Sequence, residues 1–154
     1  MIIRSRAPVR LSFAGGGTDL SPFTENSGGC VLSTTINKYV YGTLIPRYDE
    51  NISLMSADYK KSAVFYDLNG IEFTGDLDLM KAVIRLMKPN HGFELFLRGD
   101  IPPNTGVGGS GAVGVALVGL FNHLKERKLN KYEIAETAYK AEIEELKHIT
   151  GRQD

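Results

Sequence analysis

The stretch PPNTGVGGSGA, at positions 102–112, contains the residue types best suited to hold a ligand. Glycine occurs four times in it, around a single serine, Ser110. The run that follows, 112–120, is apolar or glycine throughout, which predicts a helix buried on all sides. The first turn of a helix has about four unpaired N–H groups and about half a positive charge, so a buried helix start needs a partner such as an anion.

Glycines at these positions lack the Cβ atoms that would keep a phosphate away from the N–H groups, and the Ser110 hydroxyl adds a candidate metal ligand. The stretch therefore predicts a phosphate-binding loop. Its predicted binding residues are Pro103, Asn104, Thr105, Gly106, Val107, Gly108, Gly109, Ser110 and Gly111. A simpler explanation stays open, namely a turn whose glycines only let a helix and a strand pack closely.

Two better known glycine motifs fit this stretch poorly. Gly106, Gly108 and Gly111 match G-x-G-x-x-G, but Pro102 and Pro103 interrupt the entry, and the next predicted element is a second helix instead of a parallel strand. A nicotinamide-binding oxidoreductase is therefore only a minor alternative. The Walker loop requires a lysine, and residues 103–122 contain none.

A second candidate is Glu142, on a helix predicted at 131–148. Helical spacing places it on the inward face, while Glu144 and Glu145 turn toward solvent. The apolar residues of that face are Ala135, Ala138, Leu146 and Ile149. A carboxylate among apolar neighbours needs a cation. A structural salt bridge, or a side chain that reaches out to solvent, remains an alternative.

The elements that would position these residues fall into two halves. Short β-rich runs at hairpin-like spacing predict strands in the first half. These runs are 2–8, 10–14, 30–36, 39–45, 52–56 and 62–66, with a further strand at 93–97. Apolar periodicity predicts helices at 76–87, from the glycine loop to about residue 126, and at 131–148. No repeat or linker divides the chain, which predicts one α+β unit with a mostly antiparallel sheet packed by helices.

The composition excludes some classes of function. The 154 residues include 18 basic and 18 acidic side chains, so no net field attracts nucleic acid or a membrane surface. The single cysteine, Cys30, cannot form an internal disulfide and is expected to be a small buried residue. His91, His123 and His148 show no ligand spacing and are expected at the surface. The start lacks a signal-peptide stretch, which predicts a cytoplasmic protein; the sequence leaves the oligomeric state open.

Three stretches together resemble the GHMP kinases, a family named for galactokinase, homoserine kinase, mevalonate kinase and phosphomevalonate kinase. PPNTGVGGSGA is similar to the family's Pro-x-x-x-Gly-Leu-Gly-Ser-Ser-Ala phosphate loop, with Val107 for leucine, Gly109 for the first serine and Gly111 after the second. RAPVRLSFAGGGTDL, at 6–20, resembles the N-terminal motif, and its AGGGTD is closest to the branch that phosphorylates a heptose 7-phosphate. GRQD, at 151–154, resembles the start of the family's Gly-[Arg/Lys]-Gln-Asp-Gln motif.

The resemblance implies that Gly16, Gly17, Thr18 and Asp19 bind the sugar. A carboxylate on a glycine turn can accept two hydroxyl hydrogens and so orient a sugar. Galactokinases have glutamate and histidine where this chain has Gly16 and Gly17, which counts against galactose. The alternative for Asp19 is the N-cap of a short helix at 20–25.

The resemblance also implies the groups that would act on phosphate. Ser110 and Glu142 would hold Mg²⁺, which would keep several waters and bridge the phosphates of ATP. Asp154 would orient or deprotonate the attacking sugar hydroxyl. Arg10 would keep that carboxylate ionised and balance charge on the transferred phosphoryl group, although a lone arginine is more often a surface charge.

On this resemblance the chain would be the N-terminal ATP-binding domain, residues 1–154, of a sugar kinase whose C-terminal domain lies outside the sequence given. Its fold would be ribosomal-protein domain 2-like, with a left-handed β-α-β crossover, an exception to the usual right-handed rule. The implied reaction is ATP-dependent phosphorylation of a sugar or sugar phosphate, foremost a heptose 7-phosphate at its anomeric hydroxyl. A kinase for another sugar, galactose- or fucose-like, and a non-catalytic nucleotide-binding relative are the alternatives.

Overall fold

The β-rich runs of the first half form a sheet because β-branched and aromatic residues suit a pleated surface with one buried face. The computed structural model describes residues 1–153. Its strands are β1 (Ile3–Ala14), β2 (Leu32–Pro46), β3 (Ile52–Ser56), β4 (Lys61–Phe65) and β5 (Phe93–Gly99). Along β5, Phe93, Leu95 and Leu97 are buried while the residues between them are exposed. This alternation places one face of the sheet on the core.

The strands form one sheet in the order β1-β2-β5-β3-β4. The pairs β1–β2, β2–β5 and β3–β4 are antiparallel, whereas β3 lies parallel to β5. The predicted α+β fold with a mostly antiparallel sheet is therefore confirmed. The connection from β3 to its parallel neighbour β5 runs through β4 and the helix α2 (Asp78–Met87), which makes it the β-α-β connection of this fold.

Two long strands replace the four short ones predicted for residues 2–14 and 30–45. β1 and β2 pair from Ile3 opposite Leu44 to Ala14 opposite Leu32. The break predicted after Pro8 is instead a register shift between Pro8 and Arg10. A bulge lets a strand absorb a residue that would otherwise suggest a turn, so the prediction of separate strands was wrong there.

The remaining helices are α1 (Phe23–Ser27), α3 (Gly109–Leu124) and α4 (Lys131–Lys140), with a 3₁₀ turn at Gly16–Asp19. α4 begins with a capping box, in which the Asn130 side chain accepts from the backbone of Glu133 and the Glu133 side chain accepts from the backbone of Asn130. It continues into one π-helical turn, Ala141–Glu145, and so ends earlier than the predicted residue 148. Within residues 1–153, no helix is both long and apolar enough to cross a membrane.

Helix α3 is the central element of the core, as its apolar sequence predicts. No residue from 112 to 120 is exposed. A Cβ added at Gly42 would lie 2.7 Å from Cδ1 of Leu120, so the glycine allows α3 to approach β2 closely. The Ser5 hydroxyl donates to the Ala116 carbonyl over 2.8 Å, which ties β1 to the middle of the helix. These contacts fix where the glycine-rich start of α3 lies.

The ends of β1 and β2 nearest the 3₁₀ turn extend beyond the helices. Leu11, Phe13 and Leu32 are 40%, 65% and 64% exposed there. Cys30 lies beside them and is exposed, so the prediction of a buried cysteine was wrong. The burial expected from residue type alone does not hold at these strand ends, because none of the helices within residues 1–153 covers them. The three histidines are exposed, as predicted.

Candidate active site

The start of α3 leaves its first backbone N–H groups without an intrahelical partner. The N-cap is Gly108, whose φ of 69° is left-handed, and no side chain among the described residues caps this end. The helical ladder begins when Ala112 N donates to Gly108 O over 3.1 Å. The N–H groups at the start of the helix and the positive end of its dipole together favour an anion.

The loop glycines leave open space instead of filling it. A Cβ built at Gly106 or at Gly109 would meet no heavy atom within 4 Å. By contrast, a Cβ at Gly114, farther along α3, would lie 3.1 Å from Cβ of Ala138. Close helix packing therefore explains Gly114 and does not explain the two loop glycines. The explanation that the loop glycines serve packing alone is contradicted at Gly106 and Gly109.

A cavity of about 910 Å³ opens in front of this loop. Residues 103–110 line it, together with Arg10 and Glu142. The opposite wall includes Tyr59, Leu79 and Met80. A volume of this order holds a nucleotide-sized ligand. Gly111, which was predicted with the loop, instead lines a smaller cavity of about 410 Å³ behind the start of the helix.

Arg10 holds the loop from the β1 side. Its backbone N–H donates to Val107 O over 2.9 Å, and its Nη1 donates to Gly106 O over 2.6 Å. The side chain is half-buried, so the alternative of a plain surface charge is wrong. Because the guanidinium lies beside the glycine loop, it places positive charge at the cavity.

Glu142 lies at the boundary between α4 and the π-helical turn, and its residue is 5% exposed. A carboxylate reaching out to solvent is therefore excluded. The inward face was predicted correctly at Ala138, which is buried, whereas Ala135 and Ile149 are exposed. The π-helical turn and the end of the helix at Glu145 change the spacing beyond residue 140, which explains the wrong position at Ile149.

The Gly16–Asp19 turn is closed by its own threonine. Thr18 Oγ1 donates to Gly15 O over 2.8 Å and accepts from the backbone N–H of Cys30 over 3.0 Å. Gly15 has a φ of 81°, and a Cβ there would lie 1.9 Å from Cys30 O, so only glycine fits. Thr18 thus maintains the turn, while Gly17 is open, with nothing within 4 Å of an added Cβ.

Asp19 contacts the segment 151–153 and does not cap α1. The helix begins at Phe23 with Pro22 as N-cap, so the N-cap alternative for Asp19 is wrong. Oδ2 of Asp19 accepts from Gln153 N over 2.8 Å. A Cβ at Gly151 would lie only 2.1 Å from the same oxygen. The fold thus brings the N-terminal motif and the Gly-Arg-Gln segment together across 134 positions of sequence.

The structure does not unite every predicted site residue. Residues 16–19 line neither the 910 Å³ nor the 410 Å³ cavity, and they connect to the latter through Gly151. Asp154 lies outside the described residues. Arg152, Glu136 and Tyr139 form a contact cluster. The sequence reasoning missed it, since a glutamate and a tyrosine three positions apart on a helix give no distinctive signal.

Asp78, which lines the large cavity, is paired with a buried cation. Lys81, 2% exposed, donates from Nζ to Thr74 Oγ1 over 2.8 Å and to Asp78 Oδ1 over 3.0 Å. Burial alone would raise the pKa of Asp78, but hydrogen bonds from Lys81 and from the backbone of Gly75 and Thr74 outweigh it and lower that pKa. The wall therefore carries a carboxylate that stays ionised at neutral pH.

A divalent cation fits the residues that face the large cavity. The Ser110 hydroxyl and the Glu142 carboxylate are oxygen ligands of the type that Mg²⁺ prefers, and both residues line this cavity. Across the part of the chain that the structure describes, no cluster of three histidine, cysteine or acidic side chains could hold a metal by itself. A cation here would therefore take most of its ligands from water and from phosphate oxygens.

Comparisons with known proteins agree with this geometry. The family described as GHMP kinases N terminal domain matches residues 78–154, half of the chain. D-glycero-alpha-D-manno-heptose 7-phosphate kinase of Campylobacter jejuni is 34% identical over 157 residues, which cover 99% of this chain and 46% of that protein. The chain belongs to the GHMP kinase family.

Two solved structures show how far the likeness extends. A D-glycero-D-manno-heptose 1-phosphate kinase from Bacteriodes thetaiotaomicron superposes with a TM-score of 0.83 at 30% identity, covering 100% of this chain and 52% of that one. Lactococcus lactis galactokinase complexed with galactose gives a TM-score of 0.84 at 22% identity, covering 99% and 40%, and supports the fold alone. The chain spans about half the length of the relatives it matches.

Proposed function

We propose that the chain is the ATP-binding part of a sugar kinase, which transfers the γ-phosphoryl group of ATP to a hydroxyl of a sugar or sugar phosphate. One observation carries the proposal more than any other. The uncapped start of α3, Ser110 and the buried Glu142 all face the same nucleotide-sized cavity. Family membership supports the reaction class, and this geometry supports the start of α3 as the place where the triphosphate would bind.

The roles of the binding residues follow from their chemistry. Backbone N–H groups of the loop would hold phosphate oxygens, and the guanidinium of Arg10 would offset the negative charge gathered there. Ser110 and Glu142 would hold Mg²⁺. The bound cation would neutralise charge on the phosphates as the bond to the leaving oxygen breaks.

The proton of the attacking hydroxyl requires an acceptor near the loop. We assign this role to Asp154, which would accept the proton while the hydroxyl oxygen of the sugar bonds to the γ-phosphorus and the bond from that phosphorus to ADP breaks. A carboxylate commonly serves as the base in phosphoryl transfer. Its neighbour Gln153 hydrogen-bonds to Asp19 in the proposed sugar site. Sugar and base would therefore meet beside the Gly16–Asp19 turn.

The preferred substrate is D-glycero-D-manno-heptose 7-phosphate, phosphorylated at its anomeric hydroxyl. Gly16 and Gly17 give the sugar site no side chains of their own, and the space beside Gly17 is open. A large, charged sugar phosphate suits such a site better than a small neutral hexose. The relative from Campylobacter jejuni is named for this substrate, whereas the one from Bacteriodes thetaiotaomicron is named for a heptose 1-phosphate. Cytoplasmic ATP would be the phosphoryl donor, and a cytoplasmic location stays a prediction.

The test is phosphoryl transfer by the full-length protein with Mg-ATP and a panel of heptose 7-phosphate, heptose 1-phosphate, galactose and fucose. The proposal expects the highest kcat/KM with heptose 7-phosphate, and loss of turnover in Asp154→Asn with ATP binding retained. Preference for galactose or fucose would assign another sugar. ATP binding without transfer to any sugar would favour a non-catalytic relative and would overturn the proposed activity.

A further inference from the structure

The segment 151–153 is anchored at two points. At the first, Gln153 N donates to Asp19 Oδ2 over 2.8 Å, and Gly151 packs against the same carboxylate. At the second, the guanidinium of Arg152 contacts α4. A segment without helix or strand structure is thereby tied to two separate elements.

The anchor on α4 combines two hydrogen bonds to one carboxylate with a stacking contact on an aromatic ring. Arg152 Nη1 and Nη2 donate to Oε2 and Oε1 of Glu136, the second over 3.3 Å. The same guanidinium lies over the ring of Tyr139, 4.2 Å from its centre. Glu136 and Tyr139 stand three positions apart on α4, so both face one side of the helix and hold the planar group between them.

We expect this anchor to orient the segment 151–153 more than it stabilises the fold. The side chains of Arg152 and Glu136 are 59% and 42% exposed, and ion pairs at such exposure add little to folding. The hydrogen bonds that Arg152 donates to Glu136 lower the pKa of Glu136 and raise the pKa of Arg152, so both groups are charged together at neutral pH. A two-point fork with a stacked ring fixes direction better than a single contact.

We propose that Glu136 and Tyr139 are positioning residues that act through Arg152: they hold the 151–153 segment against Asp19 and thereby set where Asp154 begins. Because Asp154 follows Gln153 directly in the chain, anchors at Arg152 and Gln153 would limit the positions open to Asp154. The inference rests on the proposed function, in which Asp154 is the base. None of the three anchoring groups touches substrate in this role.

The experiment has a kinetic arm and an arm independent of activity, both in the full-length protein. The variants are Glu136→Ala, Tyr139→Leu and Arg152→Lys. Glu126→Ala and Tyr132→Leu, at exposed positions outside the anchor, are the matched controls. The kinetic arm measures kcat and the KM for ATP. The second arm measures amide hydrogen exchange at Gln153, whose N–H is protected by Asp19.

Glu136→Ala is expected to lower kcat roughly tenfold or more, while the KM for ATP stays within about twofold of the wild-type value. The reason is that a misplaced catalytic group slows the transfer step and leaves nucleotide binding unchanged. Exchange at Gln153 should become about tenfold faster, while the melting temperature moves by less than about 3 °C. Tyr139→Leu should show a smaller effect of the same kind. Arg152→Lys, which keeps charge and loses the fork, should fall between wild type and Glu136→Ala.

The outcomes separate this inference from the proposed function. If Glu136→Ala has the same kcat as wild type, or if hydrogen exchange at Gln153 is unchanged, the positioning role is overturned even if the protein is an active kinase. Equal losses in the control variants overturn it too. If wild type transfers phosphate to no sugar, the proposed function fails, and the exchange arm alone then decides whether the anchor holds the segment.

Discussion

Replacing Gly109 by alanine should stabilise the fold and weaken ATP binding at the same time. Gly109 is the first residue of α3, and an added Cβ meets nothing within 4 Å. The methyl group therefore causes no clash and reduces the freedom of the unfolded chain, which is worth about 0.5 kcal/mol. In a chain of this size the melting temperature should rise by about 1–2 °C.

Gly109 lines the large cavity, so the same methyl group would occupy open space beside the glycine loop. A phosphate displaced from one N–H loses a charge-assisted hydrogen bond of about 1.5–3 kcal/mol, which corresponds to an affinity for Mg-ATP about 10- to 150-fold weaker. The assays are isothermal titration calorimetry and thermal unfolding. Gly119→Ala is the matched control, because it lies on the same helix with only Ser5 Cβ near the added methyl, at 4.0 Å.

Gly119→Ala should raise the melting temperature and leave the affinity for ATP unchanged. If Gly109→Ala binds Mg-ATP as tightly as wild type, the space in front of Gly109 is not where phosphate binds, and the reasoning from the loop glycines fails. If both variants bind Mg-ATP more weakly by the same factor, the lower affinity is a general effect of altering α3.

Three further substitutions test other parts of the account. Ser110→Ala should lower kcat more than it raises the KM for the sugar, because a metal ligand acts on transfer; equal effects on both would contradict the metal role. Asp78→Asn should cost about 3 kcal/mol of unfolding free energy by denaturant titration, since it leaves Lys81 buried beside a neutral group, whereas Asp76→Asn, in an exposed pair, should cost under about 1 kcal/mol. Because the pKa of Asp78 is lowered, its contribution should be complete above about pH 4 and be lost as the pH falls further, and a pH-independent difference between the variant and wild type from pH 7 down to 2 would refute it. Gly15→Ala should destabilise the fold by about 2 kcal/mol or more through its left-handed φ and the clash with Cys30 O, and wild-type stability would show that the turn can be rebuilt.

The sequence predicted the elements whose signal is local. The apolar run after the loop predicted α3, and periodicity predicted α2 and the inward position of Glu142. Local signals failed where long-range pairing decided the outcome. Pro8 and Asn37 suggested turns, but β1 and β2 pair with each other and continue past both residues.

The residues of the candidate site likewise include some with a local signal in the sequence and some that only long-range contacts bring together. The glycines of the loop mark a candidate anion-binding helix start from sequence alone, since the missing Cβ atoms are the signal. The contact between Asp19 and Gln153 is different, because it joins residues 134 positions apart and depends on how the sheet and α4 pack. Cys30 was expected to be buried by its residue type, and no sequence feature showed that the ends of β1 and β2 extend beyond the helices.

A crystal structure of the protein with Mg²⁺ and a non-hydrolysable ATP analogue tests the central claim most directly. The account predicts phosphate oxygens within about 2.7–3.2 Å of backbone nitrogens at the start of α3, and a cation in contact with Ser110 or Glu142. A nucleotide bound elsewhere, with the loop N–H groups contacting only water, would contradict it.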